Sequence, residues 1–136
     1  MPPFFDTNVL VYAFDEGEPE KRAVALDLIE EHLVDGDGLI SVQVLREFNS
    51  AVRREPQPMS DEAAAAAVRR LARFSPVSED SDMVLDAVRR TQEMSISFWD
   101  ALIVQAALKS GADRLFTEDL QHGQVIEGMR VENPFL

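Results

Sequence analysis

Short apolar segments typical of strands alternate along this chain with longer helical patterns, and this alternation limits the possible folds more than any other feature. Strand-like segments lie at Pro3–Asp6, Leu39–Ile40, Ser75–Val77 and Asp113–Thr117. A further one covers Val125–Val131 and is expected at an edge of the sheet. Strands that alternate with helices form a mostly parallel sheet flanked by those helices. We therefore expect an α/β fold with four to five short central strands.

Three serines mark the starts of helices, because a serine hydroxyl can accept the hydrogen bond of an exposed first-turn amide. Ser41, Ser60 and Ser97 each precede a helical pattern. Pro56 and Pro58 separate the first two of these helices, since proline cannot continue a helix interior.

Two more helices are predicted before Ser41. One begins near Asn8 and runs to about Phe14, and a longer one covers Glu18–Val34. In the longer helix, Leu26, Ile29 and Leu33 recur at intervals of three and four residues. This spacing predicts one buried stripe.

The 136 residues fit a single domain, 1–136. The sequence has no cysteine, which excludes disulfides and thiolate metal sites. Its longest apolar runs, such as Val9–Phe14, are far shorter than a membrane span, and the first residues carry no basic segment of a signal peptide. We expect a cytoplasmic protein with no membrane association.

Net charge is −12, but the basic residues are unevenly distributed. Residues 1–50 contain 11 acids and 3 bases, whereas residues 51–90 contain 7 of each. The arginines of the second region can complement the carbonyl ends of helices or contact phosphates. Both interpretations remain open.

Four acids stand where a merely solubilising carboxylate would be unusual. Asp6 follows the apolar segment Phe4–Phe5, and Asp119 follows another strand. In open parallel sheets, ligands bind beyond the carboxyl ends of the strands, so these two acids could share a crevice. Asp100 lies in a helix that is apolar on nearly every face, and Glu47 lies in the helix after Ser41.

Burying an ionised aspartate without a partner is costly, so Asp100 requires a reason for its position. One reason is a capping box, in which Ser97 caps the helix and Asp100 returns the hydrogen bond. The other is a metal ion, since Mg²⁺ and Mn²⁺ prefer carboxylate oxygens and can activate water. The two roles are compatible.

Taken in order, these residues resemble the motifs of PIN-domain ribonucleases, specifically the VapC-type toxins of bacterial toxin–antitoxin pairs. Asp6–Leu10 resembles the opening motif, Ser97–Ile103 the central motif and Thr117–Asp119 the fourth motif, while Glu47 has the setting of the family's third-helix glutamate. The resemblance covers nearly the whole chain and implies a three-layer α/β/α fold.

The resemblance further implies a Mg²⁺- or Mn²⁺-dependent endoribonuclease that hydrolyses RNA phosphodiester bonds with a metal-activated water. Its catalytic and metal-binding residues would be Asp6, Glu47, Asp100 and Asp119. Its supporting polar groups would be Thr7, Asn8, Thr117 and Glu118. Glu118 could also replace Asp119 as the fourth acid. The implied partners are RNA, a small antitoxin and a second copy of the chain. His32 and His122 are expected at the surface, without a catalytic role.

Three alternatives remain. Asp6 could be the nucleophile of a phosphatase similar to haloacid dehalogenases, although Asn8 replaces the second aspartate of that motif. The chain could also be a housekeeping PIN nuclease. Finally, it could be a catalytically silent domain whose acidic pocket binds a partner's arginine.

Overall fold

The computed structural model describes residues 2–55 and 58–136, so Pro56 lies outside the described residues. Within them the chain forms four strands and six α-helices, one of which continues as a π-helix. In chain order, these elements are β1 (Pro3–Phe5), α1 (Thr7–Tyr12), α2 (Pro19–Leu28) with its π-helical continuation (Ile29–Val34), α3 (Val42–Ala51), α4 (Asp61–Ala72), α5 (Ser81–Met94), α6 (Phe98–Lys109), β2 (Arg114–Phe116), β3 (Val125–Ile126) and β4 (Met129–Glu132).

The sheet has the order β1-β2-β4-β3 and is mostly parallel, which confirms the expected fold class. β1 is parallel to β2, and β2 is parallel to β4. Only the short outer strand β3 is antiparallel to its neighbour among the named strands. The C-terminal region therefore forms a hairpin whose first strand is the edge, while β4 lies inside the sheet.

Two single-residue bridges extend the sheet beyond β1. Leu39 bridges to Phe4, and Ser41 bridges to Val77. The two segments predicted as strands there are thus extended but too short to form full strands. Leu39 pairs with β1 along one of its edges, and β2 pairs with β1 along the other. β1 therefore borders the point at which strand order reverses.

The sheet's interior is apolar on both faces, as expected for parallel strands covered by helices. Phe4, Phe5, Leu115 and Phe116 are all buried. Phe5 and Phe116 are in register on adjacent strands, and their ring centroids lie 5.2 Å apart. Because of this register, β1 and β2 end at the same level, and the residues that follow Phe5 and Phe116 lie next to each other.

The predicted serine caps are present: Ser41, Ser60 and Ser97 each accept a hydrogen bond from the amide three residues later. The expected stripe of the second helix was partly wrong. Leu33 is buried and Ile29 is half-buried, but Leu26 is exposed, and Ala25 is buried in its place. The helix packs closely through the smaller side chain of Ala25. The spacing of apolar residues alone could not predict that Ala25, rather than the adjacent Leu26, faces the core.

Candidate metal centre

Asp6 comes directly after β1, and its backbone amide still donates to the carbonyl of Phe116 in β2. The residue was expected to end the strand, but it serves instead as the N-cap of α1: its Oδ1 accepts from the amide of Thr7 at 2.7 Å. Oδ2 accepts from the hydroxyl of Thr117 at 2.8 Å. The carboxylate is therefore held in one orientation by groups that follow two adjacent strands.

Burial dominates the electrostatics of Asp6, which is only 5% exposed. Desolvation raises the pKa of Asp6 to about 7, against the opposing hydrogen bonds from Thr117 and Thr7. The charges of Asp119 and Glu47 contribute smaller upward effects to this pKa. A cation beside Asp6 would favour its ionised form, so the position is suited to a metal ligand.

Asp119 is oriented by the residues that follow β1 and β2. The side-chain amide of Asn8 donates to Asp119 Oδ2 at 3.0 Å, and the backbone amide of Asp119 donates to the hydroxyl of Thr117 at 3.1 Å. Thr117 thus contacts both strand-end acids. The predicted supporting residues Asn8 and Thr117 both lie where they can position carboxylates.

Glu47 reaches this region from α3. The hydroxyl of Thr7 donates to Glu47 Oε1 at 2.8 Å, and the side-chain amide of Gln43 donates to Oε2 at 3.1 Å. Gln43 is buried and also donates to the backbone carbonyl of Trp99. Through Gln43, Glu47 is linked to the start of α6.

Asp100 lies in the first turn of α6, where its backbone amide donates to the Oγ of Ser97 at 3.0 Å. Burial raises the pKa of the Asp100 carboxyl, a hydrogen bond with Ser97 lowers it, and the nearby charges of Asp119 and Glu47 raise it again. The serine cap therefore exists and leaves the carboxylate facing other acids.

Three of these acids converge. Asp6, Asp100 and Asp119 each present an oxygen such that all three atoms lie within 4.8 Å of one another. Glu47 is outside this closest group, but its charge acts on both Asp6 and Asp100. A set of hard oxygen donors from a strand end, a second strand end and a helix fits the preferences of Mg²⁺ and Mn²⁺.

Glu118 is oriented by a different set of contacts. Its Oε1 accepts from the hydroxyl of Tyr12 at 2.6 Å, and its Oε2 accepts from Lys21 Nζ at 3.2 Å. Lys21 also lies 4.7 Å from the centre of the Tyr12 ring. Both carboxylate oxygens of Glu118 therefore have partners, whereas Asp119 belongs to the converging set.

The acids line an open cavity of about 650 Å³, within the range of roughly 300–1,000 Å³ usual for ligand sites. Two arginines, Arg46 and Arg54, also line it. Arg46 is paired with Glu79 at 2.5 Å. Among residues 2–55 and 58–136, Arg54 makes no ion pair.

Gln43, Tyr12 and Lys21 were not anticipated as contributors to this region. Gln43 had a detectable signal, because it precedes Glu47 by four residues and so lies on the same face of the helix. The contact of Lys21 with Glu118 spans 97 residues and had no local signal.

The histidines differ from each other. His122 is exposed, as expected, and its Nδ1 accepts from the amide of Asn133. His32 was expected on a polar surface, but its ring packs against those of Phe5 and Phe116, with centroids 6.4 and 5.6 Å away. The π-helical turn carries it onto the sheet rather than into solvent. Neither histidine lines the acidic cavity.

None of the described helices is long and apolar enough to cross a membrane.

Comparisons with known proteins identify the family. A family model described as "PIN domain" matches residues 4–127. A chain in the crystal structure of VapBC2 from Rickettsia felis, bound to a DNA fragment from their promoter, is 21% identical, with a TM-score of 0.66 and 98% of each chain covered. VapC20 from Mycobacterium tuberculosis, described as a sarcin-ricin loop cleaving toxin, is 22% identical, with a TM-score of 0.60 over 86% of this chain and 91% of that one. No curated protein matches the sequence significantly.

Proposed function

The chain belongs to the PIN domain family, and we propose that it is a Mg²⁺- or Mn²⁺-dependent endoribonuclease. The observation that carries this proposal is the convergence of Asp6, Asp100 and Asp119, whose oxygens lie within 4.8 Å of one another in an open cavity. Three carboxylates in such proximity repel one another by a few kcal/mol per pair without a cation. Divalent metal binding offsets that repulsion.

The proposal assigns a role to each predicted residue. Asp6, Asp100 and Asp119 hold the metal, and Glu47 extends the acidic wall from α3. A bound Mg²⁺ or Mn²⁺ supplies water activation and stabilisation of charge on the phosphate oxygens. Supporting residues keep the acids in place: Thr117 donates to Asp6, Asn8 to Asp119 and Thr7 to Glu47.

Glu118 acts in this scheme as a structural neighbour, because Tyr12 and Lys21 occupy both of its oxygens. The phosphatase alternative is not favoured. Asp6 would have to attack phosphorus with an oxygen that now accepts from Thr7 or Thr117, and the Asn8 amide is directed at Asp119.

We further propose that the enzyme is the toxin of a toxin–antitoxin pair and acts in the cytoplasm as one domain, 1–136. The fold similarity to VapBC2 and to VapC20 supports this proposal. Its partners would be an RNA substrate, a cognate antitoxin and a second copy of the chain. The net charge of −12 is compatible with an antitoxin segment that carries basic residues.

Two experiments test these proposals. First, a mixed RNA pool is incubated with the wild type and with Asp6→Asn, in Mg²⁺, in Mn²⁺ and in EDTA. Cleavage by the wild type in either metal, and by neither protein in EDTA, supports the nuclease. Equal cleavage by wild type and Asp6→Asn would exclude the metal centre.

The second experiment expresses the chain alone and together with any small gene that lies next to its own. Growth arrest that the adjacent gene relieves, with formation of a complex between the two products, supports the toxin assignment. Arrest without relief, or no arrest, counts against the toxin and leaves the nuclease to the first experiment.

A further inference from the structure

A second cavity, of about 430 Å³, lies beside the acidic one. The two share four lining residues, Val11, Asp15, Ala51 and Arg54. They are therefore adjoining parts of one groove that runs between α1 and the end of α3. A strand of RNA with one phosphate at the acids would continue into this second cavity, which we call the side recess.

The wall of the side recess differs from that of the acidic cavity. Its members beyond the shared four include three apolar side chains, Phe14, Val52 and Met59. Phe14 is 40% exposed, although its ring packs edge-on against Phe48 with centroids 5.5 Å apart. The ring is thus held by a packing contact while the residue remains partly accessible, as a base-stacking surface requires.

Charge indicates which part of a nucleotide would enter. The charged residues of the side recess are three acids, Asp15, Glu18 and Glu55, and one cation, Arg54. This balance repels a phosphate but tolerates a neutral base, whose amino groups can donate to carboxylates. Arg54 lies on the boundary between the cavities. A guanidinium there can bind the phosphate between a nucleotide in the acidic cavity and the next nucleotide in the side recess.

We propose that the side recess is a nucleobase subsite, which takes the base beside the scissile phosphate while Arg54 holds a neighbouring phosphate. This inference rests on the proposed ribonuclease function for its ligand. A basic peptide could also suit the three acids, but continuity with the acidic cavity favours RNA, because both cavities would then hold parts of one molecule.

The test compares two fluorescent octanucleotide probes with the same phosphates, one with bases and one fully abasic. Their affinities are measured by anisotropy with Ca²⁺ in place of Mg²⁺. The wild type is expected to bind the base-bearing probe at least about fivefold more tightly, the ratio expected for one stacked base. Equal affinity for the two probes would overturn the proposal.

Two variants locate the base. Ala51→Leu fills the boundary of the recess with a residue of high helix propensity, and Phe14→Leu removes the ring. Both are expected to reduce the preference for bases, and Phe14→Leu, which changes a residue of the side recess alone, should leave affinity for the abasic probe within about twofold. Melting curves identify any variant that is unfolded. Folded variants that retain the full preference would overturn the proposal, and so would loss of antitoxin binding by Ala51→Leu with RNA binding intact.

Arg54 and Arg53 form a matched pair for the phosphate contact. Arg53 donates to Asn49 and Asp61 and lines neither cavity. Arg54→Ala is expected to weaken both probes equally and to lower the salt slope of log Kd by about 0.7 for one lost contact with a single strand, while Arg53→Ala leaves both unchanged. Identical losses in the two variants would overturn the assignment of Arg54.

These results are separable from those on catalysis. Metal-dependent cleavage without a base preference would leave the proposed function intact and remove the subsite. A base preference that Ala51→Leu abolishes, in a protein that cleaves no RNA, would support the subsite and remove the nuclease.

Discussion

Replacing Asp6 with asparagine should make the metal-free protein more stable at pH 8 and less stable near pH 4. In the folded wild type, burial raises the pKa of Asp6 from 3.8 to about 7. The folded state therefore binds a proton more tightly than the unfolded state does. The free energy of unfolding must fall as the pH rises from about 4 to about 7.

The size of this effect follows from the two pKa values. Their difference corresponds to about 4 kcal/mol at 1.36 kcal/mol for each pH unit. Asp6→Asn removes that penalty but disturbs one hydrogen bond. The hydroxyl of Thr117 donates to Asp6 Oδ2 and already accepts from the amide of Asp119, so an amide nitrogen opposite it costs about 1–2 kcal/mol.

The net expectation at pH 8 in EDTA is a gain of about 2–3 kcal/mol in the free energy of unfolding, or roughly 5–10 °C in Tm for a domain of this size. At pH 4 the carboxyl is largely protonated, so only the hydrogen-bond cost remains and the variant melts lower. Denaturation with urea at both pH values measures the difference. Asp27→Asn, at an exposed position on α2, is the control and should change neither value.

A high concentration of Mg²⁺ should make the wild type more stable than Asp6→Asn at pH 8. A ligand present at about 1,000 times its Kd stabilises the wild type by about 4.1 kcal/mol, which exceeds the gain expected for Asp6→Asn in EDTA, whereas Asp6→Asn has lost one of the three converging oxygens. An Asp6→Asn protein that is no more stable than the wild type in EDTA at pH 8 would refute the reasoning that Asp6 is a buried, uncompensated charge. Equal Mg²⁺-induced shifts in the two proteins would refute its role as a ligand.

Three other substitutions have defined outcomes. Asp119→Asn should reduce metal-dependent cleavage at least about 100-fold, whereas Glu118→Gln should reduce it less than about tenfold, since only the former removes a converging oxygen. Comparable losses in the steady-state rates of the two variants would contradict this assignment. Thr117→Val should raise the pKa of Asp6 further, because it removes a hydrogen-bond donor to this carboxylate. The free energy of unfolding in EDTA should then depend on pH up to a higher pH than in the wild type. An unchanged pH profile would count against this role of Thr117. Ser97→Ala should lower the free energy of unfolding by about 1 kcal/mol through loss of the helix cap, as measured by urea denaturation, and no change would show that the cap is dispensable.

Local chemistry made several parts of the structure predictable from the sequence. A serine before an apolar helical pattern has one main use for its hydroxyl, so Ser41, Ser60 and Ser97 could be assigned as caps. An acid that follows a buried strand lies at the carboxyl end of that strand. Because the carboxyl ends of parallel strands lie together, Asp6 and Asp119 were expected on the same side of the fold.

Interactions between distant segments were not predictable in the same way. Glu118 and Asp119 are adjacent acids after the same strand. Contacts with Tyr12, Lys21 and Asn8, all far away in sequence, hold their two side chains in different settings. Leu26 was misplaced for a related reason. Its helix could rotate by one residue without changing its periodic pattern, and tertiary packing selected the alternative.

The pairing of β1 with β2 has a consequence for the order of events during synthesis. Asp6 is made before the hydroxyl that orients it, that of Thr117, which comes 111 residues later. A ribosome must therefore deliver β2 and Thr117 before the acidic cavity can form, and β1 waits unpaired with β2 until then. Truncated translation products that end before β2 should therefore lack the convergence of Asp6, Asp100 and Asp119 altogether.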